Sequence, residues 1–302
     1  MPSTNTPIAW PGACDAHVHV FDPQRYSYDV ARTYTPGMAS VQALRAFHDR
    51  LGLRRVVLVQ PSVYGSDNSC LQAALGALGP GRARGVAVVC DEGPDEATLD
   101  ALHAVGVRGV RLNIEVAAGA TPLRERVRAL GWLRRRQGWC LQLHASTGLL
   151  VPALDALVAL GVPVVLDHYA GLHKQPLAEL EGALAPIREF LASGPGYAKL
   201  SAPYRRHPSW RDADIARLAA DLADAAPTRL LWGSDWPHTG GEAGRPRDPT
   251  QIEPFREIDN QAVLQQLRQA LGESSWRLML QDNPQALYGF DPCEGKKYEE
   301  TP

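Results

Sequence analysis

The strongest constraint on the fold of this chain is a rhythm. Eight short apolar runs recur, at residues 14–20, 55–60, 84–90, 109–113, 139–144, 163–168, 197–201 and 229–234. Their apolar residues are near-continuous rather than alternating, as in strands covered on both faces. Between them lie helical patterns, at 41–51, 95–105, 123–137, 149–160, 177–193 and 215–225. Strand and helix in alternation imply parallel pairing through right-handed crossovers. Eight such units in 302 residues match an α/β fold of the (β/α)8 TIM barrel type, built as a single domain. An open doubly wound sheet is the alternative, because periodicity does not register closure. After the eighth run, residues 240–254 read as a Gly/Pro/charge-rich loop and 261–271 as a helix. Ser274 or Ser275 then caps a further helical stretch, and Asn283-Pro284 opens a short final one. The barrel is expected over residues 13–290, with an N-terminal extension at 1–12 and a charged tail at 291–302.

Composition narrows the class of partner. Lys plus Arg total 31 and Asp plus Glu 33, a net charge of −2, which offers nucleic acid little to hold. The most apolar stretch, 149–166, is interrupted by Pro152, Asp155, Gly161 and Pro163, whereas a membrane span needs about 20 apolar residues. The first 12 residues show neither a basic nor an apolar leader region. Five cysteines, an odd number without a CxxC pair, point to reduced thiols and a cytoplasmic setting. Cys14, Cys90 and Cys140 fall in strand runs and are expected to be inert core residues.

In a TIM barrel the chemistry sits at the carboxyl ends of the strands. Those ends carry Asp15-Ala16-His17-Val18-His19, Gln60-Pro61-Ser62, Arg111-Leu112-Asn113, His144, Asp167-His168, Ser201 running on to Tyr204-Arg205, and Ser234-Asp235-Trp236-Pro237-His238. Residues i and i+2 of a strand share a face, so His17 and His19 are both expected to enter the mouth. Taken singly, a histidine at a strand end is a hydrogen-bonded structural residue. Taken together, His17, His19, His144, His168 and Asp235 at one rim have the composition of a metal or acid/base site. His48, His103, His173 and His207 lie away from strand ends and are assigned to surface or packing, and the Arg-rich segment 124–136 to a solvated helix face.

These residues resemble the amidohydrolase superfamily. Gly233-Ser-Asp-Trp-Pro-His238, Asp167-His168 and the closing Asn283-Pro-x-x-Leu287-Tyr288 are similar to its amidohydrolase-2 branch. The 59–68 stretch Val-Gln-Pro-Ser-Val-Tyr-Gly-Ser-Asp-Asn, together with Arg108-Gly-Val-Arg111-Leu-Asn113, resembles the group of 2-pyrone-4,6-dicarboxylate lactonase and related lactonases. The resemblance implies that Asp235 is the general base, that His168 polarises the scissile carbonyl or orients water, and that His17 and His19 bind metal or contact the carbonyl. It also implies that Ser62, Arg111, Arg205 and Tyr34 hold substrate carboxylates, with Tyr204 and His238 as further substrate-facing candidates. For the two arginines a rim salt bridge is the competing reading.

Two departures matter. His144 has no counterpart in the dicarboxylate lactonase and completes a His17, His19, His144, Asp235 ligand set for one divalent metal, zinc or manganese, with metal-independent catalysis as the alternative. The second arginine after strand four is replaced by Ile114-Glu115-Val116, which argues against a pyrone dicarboxylate. The implied activity is hydrolysis of a small anionic lactone from aromatic- or sugar-acid catabolism. A metal-dependent decarboxylase of the same branch and a non-catalytic ligand-binding barrel are the rivals. The expected partner is a small anionic molecule, and a homodimer is left open.

Overall fold

In the computed structural model the eight apolar runs are eight parallel strands paired in chain order. They are β1 (Cys14–Val18), β2 (Arg55–Val59), β3 (Ala83–Ala87), β4 (Val107–Asn113), β5 (Cys140–His144), β6 (Val164–Leu166), β7 (Gly196–Ser201) and β8 (Leu230–Gly233). The structure describes residues 10–114, 121–240 and 247–292. Most of the expected extension, Glu115 and Val116, part of the 240–254 loop, and the tail from Cys293 lie outside these residues.

The ring closes just beyond the ends of β8 and β1. The Asp235 N–H donates to the His17 carbonyl (2.9 Å) and the His19 N–H to the Trp236 carbonyl (2.8 Å). An open sheet would leave both edges unpaired, so the doubly wound alternative falls. Gly233 permits the approach, since a Cβ there would stand 2.5 Å from His17 Cβ. Asp15 ties the same seam, accepting from Ser234 N (2.9 Å), Ser234 Oγ (2.5 Å) and His48 Nε2 (3.2 Å). His48 is thereby a fully buried packing residue.

The barrel interior is layered. At the amino-terminal end Cys14, Ala16, Val57, Val59, Val86, Cys140, Val165 and Leu231 form an apolar cluster, closed from below by Leu287, Tyr288 and Phe290. Arg84 holds that plug by donating to the Tyr288 and Gly289 carbonyls (3.1 and 2.6 Å). Above the apolar layer the interior turns polar, and there the site is built.

The helices follow local chemistry. Val41–Leu51 is capped by Ser40, whose Oγ accepts from Ala43 N (3.2 Å), and ends at Gly52 in the left-handed region. Asp95 caps Glu96–Ala104 in the same way. The pattern at 149–160 is not one helix: Pro152, which lacks an N–H, marks a tighter turn between Thr147–Leu150 and Leu154–Leu160. Asn260–Arg277 is broken at Gly272 (φ 69°), which separates the expected 261–271 helix from the stretch that leads into Asn283–Tyr288. Strand β3 stops at Ala87, because the next amide, Val88 N, bonds the Asn68 side chain (3.0 Å) instead of a neighbouring strand. Cys90 is therefore exposed, which corrects its placement in the core, whereas Cys14 and Cys140 are buried. No helix among the described residues is long and apolar enough to cross a membrane.

Candidate active site

Three groups converge at the closing seam. His17 Nε2 lies 3.6 Å and His19 Nε2 3.5 Å from Asp235 Oδ1, all of them buried. His19 Nδ1 is held by the Val59 carbonyl at 2.8 Å, which requires a proton on Nδ1 and turns Nε2 toward Asp235. His17 Nδ1 faces Asp167 Oδ1 at 3.2 Å, while its Nε2 has no hydrogen-bond partner. Burial, assisted by the Lys199 charge and opposed by Asp167, pushes His17 down to about 4, so it is neutral at pH 7. His17, His19 and Asp235 offer ligand atoms within 4.8 Å of one another, and two imidazole nitrogens with a carboxylate oxygen suit a divalent cation such as zinc.

Asp235 is aimed from its other side. Its Oδ2 accepts from Tyr204 Oη (2.6 Å) and from Arg205 Nε and Nη2 (3.1 and 2.9 Å). Burial alone would raise its pKa, but the Arg205 guanidinium beside it holds the carboxyl well below the usual carboxylate range. Asp235 also sits in left-handed backbone (φ 61°), fixed by its own N–H on the His17 carbonyl and by the His238 N–H on its carbonyl (2.7 Å).

His168 (φ 52°) leaves β6 in the same region, with Nδ1 2.8 Å from Ser201 Oγ and its ring 4.8 Å from that of His17. Burial keeps it neutral. His144 stands on the far side of His168, ring centroids 4.8 Å apart. Its Nε2 takes a hydrogen bond from Lys174 Nζ at 2.9 Å, and it is absent from the ligand groups found among the described residues. Of the expected His17, His19, His144 and Asp235, three bring ligand atoms within 4.8 Å of one another, and His144 lies apart from them beside Lys174.

The substrate-facing candidates divide. Ser62 and Arg111 line a cavity of about 240 Å³ with Gln60, Asn113 and Arg32. That is below the roughly 300–1,000 Å³ of sites for drug-sized ligands and suits a small acid. Arg111 Nη1 donates to the Gln60 carbonyl (3.2 Å) and Nη2 lies 3.6 Å from Asp167 Oδ2. Tyr34 is buried, its hydroxyl paired with Ser62 and its ring under Arg247 (3.8 Å). Arg205 and Tyr204 serve Asp235 directly. His238 is drawn away, its Nε2 accepting from Asn260 Nδ2 at 3.0 Å.

Sequence reasoning passed over Lys199, Gln142 and Lys174. A lysine inside a strand buried on both faces was the available signal for Lys199, which is fully buried in the barrel.

Similarity to known proteins agrees with this geometry. The sequence profile of the Amidohydrolase family matches residues 14–290. The chain is 32% identical to a 2-pyrone-4,6-dicarboxylate hydrolase of Comamonas testosteroni over 288 residues, covering 92% of this chain and 90% of that protein. It is 31% identical to a 4-sulfomuconolactone hydrolase of Rhizobium radiobacter, with 92% and 90% covered. The crystal structure of a putative 2-pyrone-4,6-dicarboxylic acid hydrolase from Pseudomonas putida superposes with a TM-score of 0.77 at 28% identity, covering 94% of this chain and 99% of that one. With the (β/α)8 ring, the histidine pair of β1 and the aspartate after β8 all in place, the chain belongs to the amidohydrolase family.

Proposed function

We propose that this protein hydrolyses a small anionic lactone. The observation that carries the reading is the Asp235 carboxylate. One oxygen is pinned by Tyr204 and Arg205 while the other faces two histidine nitrogens. Arg111 and Ser62 line a small cavity suited to an acid. The hydrolases to which the chain is similar act on lactones carrying carboxylate or sulfonate groups, which fits an arginine-lined cavity.

In this reaction Asp235 accepts a proton from water at Oδ1 as the water oxygen bonds to the lactone carbonyl carbon. His168, with Ser201 Oγ–H donating to Nδ1, presents Nε2–H to the oxygen that gains negative charge. The ring C–O bond then breaks, and the proton held on Asp235 passes to the departing alkoxide. Arg111 anchors the substrate's anionic group. His17, His19 and Asp235 would hold a zinc or manganese ion, which when bound supplies a water of lowered pKa and polarises the carbonyl. Three buried, unpaired cysteines support a reducing, cytoplasmic setting.

A pH-stat assay over a panel of carboxylated and sulfonated lactones tests the proposal, since hydrolysis at neutral pH releases acid. Asp235→Asn is expected to lose about 10³-fold in kcat with the fold retained. Near wild-type turnover by that variant refutes the mechanism. Proton uptake with carbon dioxide release would indicate decarboxylation instead.

A further inference from the structure

Below the reactive carboxylate, a closed ring of side chains crosses the barrel where apolar packing would be expected. Lys199 Nζ on β7 donates to Gln142 Oε1 on β5 (2.6 Å). Gln142 Nε2 donates to Asp167 Oδ2 (3.0 Å) just after β6. Asp167 Oδ1 faces both His17 Nδ1 (3.2 Å) and Lys199 Nζ (3.7 Å), and this second ion pair closes the ring, with His17 Nδ1 3.5 Å from the ammonium. All four side chains are buried. An ammonium is costly in such a place and is kept only where it is paired and hydrogen-bonded.

We propose that Lys199 and Gln142 are positioning residues which hold Asp167 on His17 Nδ1 and thereby aim the His17 Nε2 lone pair at Asp235. The logic is one of donors and acceptors. An ammonium only donates, so the Gln142 amide must turn its oxygen to Lys199 and its NH2 to Asp167. That occupies Asp167 Oδ2 and leaves Oδ1 for the His17 Nδ1–H. Without Lys199 the amide is free to flip and set an oxygen against a carboxylate. Asp167 then rotates, and the His17 tautomer is no longer selected. Arg111, 3.6 Å from Asp167 Oδ2, joins the ring to the substrate cavity.

The kinetic half of the test rests on the hydrolase reading; the structural half does not. The protein as purified is labelled with ring-¹⁵N histidine, and the His17 signals are assigned by their loss in His17→Gln. Wild type is expected to show one tautomer, protonated at Nδ1. Lys199→Met and Gln142→Met are expected to show a tautomer mixture. Both should lose about tenfold or more in kcat, as outer-shell partners of a site histidine do, with KM within about twofold. The double variant should lose no more than the worse single one, because the residues act as one unit. A wild-type His17 protonated at Nε2, a tautomer unmoved by either substitution, or a loss carried in KM overturns the proposal. Should Lys199→Met fail to fold, Gln142→Met, which removes no charge, decides the matter. If no lactone in the panel is turned over, the hydrolase reading fails and the NMR signature alone judges the ring.

Discussion

Gly233→Ala tests the seam on which the site depends. The added methyl carbon would stand 2.5 Å from His17 Cβ, 3.0 Å from His17 N and 3.2 Å from His17 Cα. Carbon–carbon contact is comfortable at about 3.5–4.0 Å, so the overlap is about 1 Å or more. The obstructing atoms belong to the backbone and to its first side-chain carbon, which have no rotamer to escape into. Overpacking of this kind costs about 1–3 kcal/mol, or roughly 2–5 °C in Tm for a chain of this size. Relief comes from spreading β8 away from β1, which stretches the Asp235 N–H bond to the His17 carbonyl and moves the carboxylate off the two histidines. A displacement of about 1 Å at reacting groups costs about 10²-fold in rate. Gly194→Ala is the control. Its Cβ would meet the Phe190 carbonyl oxygen at 2.6 Å, ahead of β7 and at the end of the barrel away from the rim, so it should destabilise but leave kcat nearly intact. Calorimetry and kcat of both variants, taken well below their transitions, settle the point. If Gly233→Ala melts with wild type, or loses stability while keeping full kcat, the seam does not position Asp235.

Tyr204→Phe removes a 2.6 Å hydrogen bond to the ionised Asp235, so the acid limb of kcat/KM should move to higher pH; an unmoved limb with raised KM would make Tyr204 a substrate contact instead. Burial lowers His17 to about 4 and His173 to about 3, both below the ordinary value of 6.5. The unfolded chain therefore binds protons before the native one does, so stability is fully present above pH 6.5 and is lost as pH falls toward those values. Each group contributes a slope of about 1.4 kcal/mol per pH unit in that window. Urea titrations between pH 4.5 and 6.5 should give His173→Gln a visibly shallower loss than wild type, and equal slopes would remove His173 from the account. Cys90→Ser should abolish a fast phase of native thiol labelling, whereas Cys14 and Cys140 should react only on unfolding, Cys140 because burial lifts it to about 12.

Much was legible from residues alone. The strand runs were readable because strands covered on both faces must be apolar at successive positions, and seven of the eight begin within a residue of the reading, β4 beginning at Val107 rather than Gly109. The rim residues His17, His19, His168 and Asp235 were readable because a barrel sends chemistry to the carboxyl ends of its strands. What each of them touches was not legible. His144 has a ligand's residue type and a ligand's address, yet a lysine 30 positions later takes its Nε2. Arg205 reads as an anion clamp and folds onto Asp235, 30 positions on. Lys199 lies 182 residues from the histidine it approaches, and only closure of the ring makes them neighbours. Periodicity and residue type act along the chain, so the sequence alone determined which elements form and which end of the barrel is polar. Hydrogen-bond partners, tautomers and charge pairing act across space between strands far apart in the chain, so the tertiary structure alone decided them.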